Sequence, residues 1–189
     1  MEKNKKIKLI STLTFSSKKY NRIKKLNDSK FEVVNEFIII QKTSLSDLKK
    51  RIHFILSMLC DFSTEVGIRF CDEVEMQSSN SYYRGKNYPT DVLSFPYKND
   101  LTNETGYSYL GDILICIPVC YNQALKARVT MTEELEKMII HGIVHLKGFD
   151  HERNKSAWKV MTLLEQSLLK ELQKEMGKPK WCKAIFSSK

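Results

Sequence analysis

The chain has 189 residues, of which 42% are hydrophobic and 28% charged, with only 7 Gly and 4 Pro. That balance excludes collagen-like, linker-like and wholly disordered chains and leaves one domain ample apolar material for a core. The formal net charge is +9, and no apolar run approaches the roughly 20 residues that a membrane helix needs.

In chain order, the first feature is the placement of that charge. Residues 1–30 hold ten basic side chains against two acidic ones, so the remainder is close to neutral. This arm suits a polyanion such as nucleic acid, and reads equally as a solvated, partly disordered leader. Lys8, Ser11, Thr12 and Thr14 interrupt its apolar residues, which argues against a secretory signal. The division expected is a basic arm over 1–30, a folded body over 31–177 and a basic tail over 178–189.

Residues 31–40, rich in β-branched and aromatic types, read as a strand. Leu45, Leu48, Ile52, Ile55, Leu56 and Leu59 recur at helical spacing over 44–60. A short strand over 67–71 and a short helix over 73–83 follow, then a polar turn over 84–89. Strands are expected over 92–95 and 110–117, joined by a polar loop near 98–105, and Pro118 opens a helix carrying Tyr121 and Ala124. Thr130 with Glu133 forms a capping box before an apolar-periodic run to Leu146 that Gly148 stops. Residues 154–176 place Trp158, Met161, Leu164, Leu168 and Leu172 on one helical face. Strands and helices of this kind give an α+β class.

Five cysteines, with Cys116 and Cys120 spaced C-x3-C but no second pair, make neither a disulfide framework nor a zinc site. They read as reduced thiols of a cytoplasmic protein without membrane or disulfide-linked partners.

The chemistry concentrates in HGIVHLKGFDH, residues 141–151. His141 and His145 stand at i and i+4, so both rings leave one helix face, and a turn after Gly148 can return His151 to the same point. Three neutral imidazoles suit one Zn²⁺ ion with a coordination position left open, a zincin-like site. Such an ion lowers the pKa of bound water from about 15.7 to about 7. Asp150 and Glu152 are candidates to orient a ring nitrogen, whereas His53, alone on the earlier helix, reads as structural. Zinc proteases of nearly this spacing carry Glu beside the first histidine as general base, and here that residue is Gly142. RNA, whose 2′-hydroxyl neighbours the scissile phosphate, supplies its own nucleophile and is favoured over a peptide.

A second constellation is YRGKNYPTDVLSFP, residues 83–96. Arg84 and Lys86 can hold a phosphate, and Tyr83 and Tyr88 can stack on unpaired bases. The same residues also fit a solvated turn with tyrosines packed at its base.

Residues 80–96, LGDILIC at 110–116 and HGIVHLKGFDH at 141–151 together resemble the YbeY family of bacterial endoribonucleases, in that family's order. The resemblance covers about residues 31–177, which it implies are a metal-dependent endoribonuclease domain with a small mixed β-sheet flanked by helices. It implies a zinc-dependent, single-strand-specific endoribonuclease acting in small-subunit ribosomal RNA 3′-end maturation and ribosome quality control, with single-stranded RNA, ribosomal RNA and the small ribosomal subunit as partners. It places the zinc ligands on His141, His145 and His151 and a catalytic, phosphate-contacting arginine on Arg84, with Lys86 in the same motif. Asn87 and Phe149 depart from the common pattern, and neither is a ligand position. A metalloprotease-like hydrolase and a non-catalytic, zinc-containing ribosome-binding factor are the alternatives.

Overall fold

The computed structural model describes residues 13–16, 33–35, 38–40, 42–60, 63–97, 107–150 and 154–184. The order of elements is β1 (Leu13–Ser16), β2 (Val33–Asn35), β3 (Ile38–Ile40), α1 (Lys42–Leu59), β4 (Ser63–Cys71), α2 (Glu73–Arg84), β5 (Val92–Pro96), β6 (Tyr107–Cys116), α3 (Ile117–Ala127), α4 (Met131–Leu146), α5 (Lys155–Met176) and β7 (Lys183–Ala184). One sheet runs β1-β4-β6-β5 and a smaller one β2-β3-β7. Strand β4 is parallel to β6, while β1 and β5 pair antiparallel, so the main sheet is mixed and β5 is an edge.

Local chemistry sets the helix ends. Asp72 caps α2 by accepting the Glu75 N–H at 2.8 Å. Pro118 sits in the first turn of α3, where a missing N–H breaks no helical bond. The capping box of α4 forms as expected: Thr130 Oγ1 accepts the Glu133 N–H at 3.2 Å and Glu133 Oε2 accepts the Thr130 N–H at 2.9 Å. Asn154 caps α5 through the Ala157 N–H at 2.8 Å.

Several boundaries differ from the sequence reading. The stretch expected as one strand over 31–40 contains two, β2 and β3, paired antiparallel with Asn35 opposite Ile38. Strand β4 begins at Ser63 rather than at 67, because Thr64, Val66, Ile68 and Phe70 keep a buried period of two straight through Gly67. Ile117 opens α3 instead of ending β6. The arm over 1–30 includes β1, which pairs with β4. The segment set apart as a basic tail over 178–189 contains Trp181, which is 0% exposed, and continues into β7 beside β3. Its lysines dominate the composition while one tryptophan decides the packing.

Ile68 and Ile113 of the sheet share a core with Leu48 and Ile52 of α1, Ile139 and Ile143 of α4 and Leu168 of α5. Leu93, Leu114 and Cys116 point the other way, onto Met76 of α2. Helices therefore cover both faces. All five cysteines are free thiols. No described helix is long and apolar enough to cross a membrane.

Two contacts position α4. Gly142 lies so close to β6 that a Cβ there would stand 2.7 Å from Ile113 Cγ2. At the other end, Arg51 of α1, 2% exposed, donates to Glu136 Oε1 at 3.0 Å and to the carbonyls of Met176 and Gly177 at 3.0 and 2.9 Å. One guanidinium thus ties α1, α4 and the end of α5 together and satisfies carbonyls that the helix leaves open.

Gly142→Ala is expected to destabilise the fold by roughly 1–3 kcal/mol through overpacking against Ile113, read from urea denaturation. Burial pushes the Glu136 carboxyl up to about 7 despite the Arg51 guanidinium beside it. The folded chain therefore keeps a proton that an ordinary glutamate, at about 4.5, has already released. Stability from this residue falls as pH rises through that window. Glu136→Gln is expected to flatten the slope, checked by denaturation at several pH values across it.

Candidate active site

His141 and His145 lie one turn apart on α4, each half-buried. Their flanking residues Ile139, Ile140, Ile143 and Val144 are buried, so the core holds the helix rotation that aims the two rings outward together. The rings meet edge to face with centroids 4.5 Å apart. The two Nε2 atoms are 3.0 Å from each other. His141 Nδ1–H donates to Glu165 Oε1 of α5 at 2.7 Å. That bond fixes the ring and its tautomer and leaves the His141 Nε2 lone pair facing His145.

This donor set fits zinc. Two nitrogens bound to one tetrahedral Zn²⁺ at 2.0–2.1 Å stand about 3.3 Å apart, close to the spacing seen. A carboxylate on the far nitrogen of a ligating histidine is the usual supporting partner. His151, the third expected ligand, lies outside the described residues, and among those described no group of three His, Cys, Asp or Glu donors forms. Asp150, the residue before it, reaches the site and lines its pocket.

Sequence reasoning missed Glu165. It sits 24 residues after His141 on an amphipathic helix with no local mark, and only the packing of α5 against α4 brings it to the ring. The sequence offered Asp150 and Glu152 for this orienting role. Asp150 lies in the pocket wall, and Glu152 is outside the described residues.

Gly142 answers the protease alternative. Its α-carbon faces the Ile113 side chain, and its carbonyl accepts Ser94 Oγ–H at 3.2 Å. A side chain at this position would meet Ile113, and the carboxylate that zinc proteases of this spacing use as general base is absent from this residue.

The second constellation separates into scaffold and site. Asn80, buried on α2, donates from Nδ2 to the Tyr88 carbonyl at 2.7 Å, and Lys86 N–H returns to the Asn80 carbonyl at 3.2 Å. Gln77 Nε2 holds Asn87 Oδ1 at 3.0 Å. Asp91 accepts Gln123 Nε2 at 2.9 Å, the Val92 N–H at 2.8 Å and Thr90 Oγ1–H at 3.0 Å. Burial works to raise the Asp91 carboxyl, but these hydrogen bonds outweigh it and hold the group below the usual carboxylate range. Asn80, Asn87 and Asp91 therefore shape the loop that follows Arg84, the last residue of α2, which itself lines the pocket.

That pocket, of about 260 Å³, is lined by Arg84, Ser94, Pro96, His145, Phe149 and Asp150, with Gly148 at its floor turn. The structure thus brings Arg84 and His145 together across 61 positions of sequence. Lys86 is exposed and does not line the pocket. Asp112 takes the opposite face of β6 from Ile113 and accepts Tyr109 Oη–H at 2.7 Å, which keeps it out of the histidine site. His53 lies half-buried on α1, outside the pocket wall. A pocket lined by a guanidinium, the His145 imidazole and a carboxylate, with the His141 Nε2 3.0 Å from that imidazole, is suited to binding an anionic phosphodiester and breaking it.

The profile of the family described as Endoribonuclease YbeY matches residues 13–173. An endoribonuclease YbeY from Sulfurihydrogenibium sp. is 37% identical over 139 residues, covering 72% of this chain and 87% of its own. One from Borreliella afzelii is 34% identical over 140 residues, covering 71% and 92%, and one from Aquifex aeolicus is 35% identical over 136, covering 72% and 89%. A solution structure from Thermotoga maritima aligns at 29% identity with a TM-score of 0.49, covering 70% of this chain and 83% of that one.

Proposed function

The chain belongs to the YbeY family of endoribonucleases and is a hydrolase acting on RNA; from that premise we propose that it is a zinc-dependent nuclease of single-stranded RNA, working in ribosomal RNA 3′-end processing and ribosome quality control. The observation that carries the catalytic reading is the placement of Arg84 beside His145 in one pocket, with the His141 and His145 Nε2 atoms converging at 3.0 Å. The proposed ligands are His141, His145 and His151. Bound there, one zinc ion supplies Lewis acidity toward a phosphoryl oxygen or a water.

The chain's own residues do the rest. Glu165 holds the His141 ring with its lone pair outward. Arg84, the last residue of α2 and followed by a loop that Asn80 and Asp91 hold, takes two oxygens of the scissile phosphate and offsets the charge that grows there. Lys86, exposed two residues on, adds positive charge for a neighbouring phosphate. Phe149 and Pro96 give the pocket its apolar wall and reduce the water around that phosphate. A ribosomal setting follows from the family rather than from the pocket, and cytoplasmic location goes with it.

The test is cleavage of an end-labelled single-stranded RNA by zinc-loaded protein beside His145→Ala. Cutting by the first alone is expected, and equal cutting by both would overturn the metal reading. Arg84→Ala, with zinc content unchanged, is expected to slow cleavage about a hundredfold. A duplex of the same sequence should resist. Glu165→Ala is expected to weaken zinc binding about 10- to 100-fold, measured by competition with a chromophoric chelator, with the melting temperature of the metal-free protein little changed.

A further inference from the structure

Beside the Arg84 loop stand aromatic rings that the chemistry above does not use. Tyr82 is 82% exposed and Tyr83 62% exposed, although both sit in the last turn of α2, where a soluble protein gains nothing by showing two large rings to water. They are not loose. Tyr82 meets Tyr83 edge to face with centroids 4.8 Å apart, and Tyr83 meets Phe95 in the same manner at 4.8 Å. Phe95 is half-buried on β5 and packs onto the cluster of Leu93, Leu114 and Met76, so the outer rings rest on the core.

Their position is defined on both sides. Tyr83 immediately precedes Arg84, and Phe95 lies between Ser94 and Pro96; all three of those neighbours line the pocket. From residue 76 to residue 90 the chain carries Arg84 and Lys86 and no acidic residue. Cations beside anchored rings are the arrangement that takes a nucleic acid strand, with phosphates on the cations and bases on the rings.

We propose that Tyr83, braced by Tyr82 and Phe95, forms a stacking subsite for an unpaired nucleobase next to the phosphate held at Arg84. This rests on the RNA-cleaving reading and deepens it by naming what selects a single strand. In a duplex each base face is covered by its neighbours, so the platform has nothing to stack on; an unpaired base can swing out and lie against the ring. Because Phe95 and Tyr82 already restrict the Tyr83 ring, little side-chain freedom is lost when a base arrives. The sequence had offered Tyr83 and Tyr88 together; the structure separates them, since Tyr88 has its backbone carbonyl tied to Asn80 and no ring contact to Phe95 among the described residues.

The experiment measures KM and kcat of the zinc-loaded full chain on a short single-stranded RNA, for wild type, Tyr83→Ala and Tyr83→Phe. Tyr83→Ala is expected to raise KM about tenfold with kcat largely kept, as loss of one base-ring stack implies, and Tyr83→Phe to restore KM. The same RNA carrying one abasic residue, moved stepwise along the strand, supplies the second readout. At one position beside the cut, wild type should lose what Tyr83→Ala has already lost, and the variant should lose nothing more. An unchanged KM for Tyr83→Ala on an RNA that wild type cuts would overturn the subsite and leave the nuclease reading intact. Failure of wild type to cut or bind single-stranded RNA would overturn both. The exposure of Tyr83 keeps the alanine variant foldable, which its melting curve checks.

Discussion

Helix α4 approaches strand β6 at Gly142 more closely than any side chain would permit, with Ile113 filling the place a Cβ would take. The rest of the site hangs on that approach. The Gly142 carbonyl receives Ser94 of β5, so the edge strand and the helix are joined at the same residue. His141 precedes that contact and His145 follows it by less than a turn, and both are turned outward because Ile139, Ile140, Ile143 and Val144 are turned in. A bulkier residue at 142 would lift the helix and move both imidazoles relative to Arg84.

A second constraint acts at the other end of α4. Arg51 is buried among Glu136, Asp47 and the carbonyls that close α5. Breaking one partner of such a network leaves an uncompensated charge, so the network resists partial loss. Its consequence for the site is indirect but specific. The end of α5 is tied to α4 through Arg51, while two to three turns earlier the same helix presents Glu165 to His141. The helix that orients the imidazole is therefore anchored near its far end by a buried guanidinium.

The glycine of LGDILIC has a comparable structural task. Between the Glu65–Tyr109 and Gly67–Asp112 pairs, β6 carries one residue more than β4, a bulge. Gly111 sits there at φ 132°, with the Phe95 carbonyl of β5 so near that any Cβ would collide with it. The bulge lets the edge strand come close at Phe95, the same residue that supports the tyrosines. Residues that look chemical in the sequence, Asn80, Asn87, Asp91 and Asp112, are occupied with loop and strand geometry, and the groups facing the pocket are fewer.

What the amino-acid sequence determined by itself was whatever depends on neighbours within a turn or two. The capping box at Thr130, the i, i+4 pair of His141 and His145, the proline start of α3 and the turn at Gly85 all rest on local backbone chemistry and formed as read. The α+β class followed from the same periodicities. Strand limits were less legible: the break between β2 and β3, and the start of β4 beyond Gly67, depend on pairing with distant strands. Tertiary structure alone decided that Glu165 meets His141, that Arg84 shares a pocket with His145, that Gly142 is a contact and that Trp181 belongs to the core. Each of these joins residues 24 or more apart, or sets a helix against a sheet, and such distances are fixed by how whole elements pack, which no local pattern of side chains encodes.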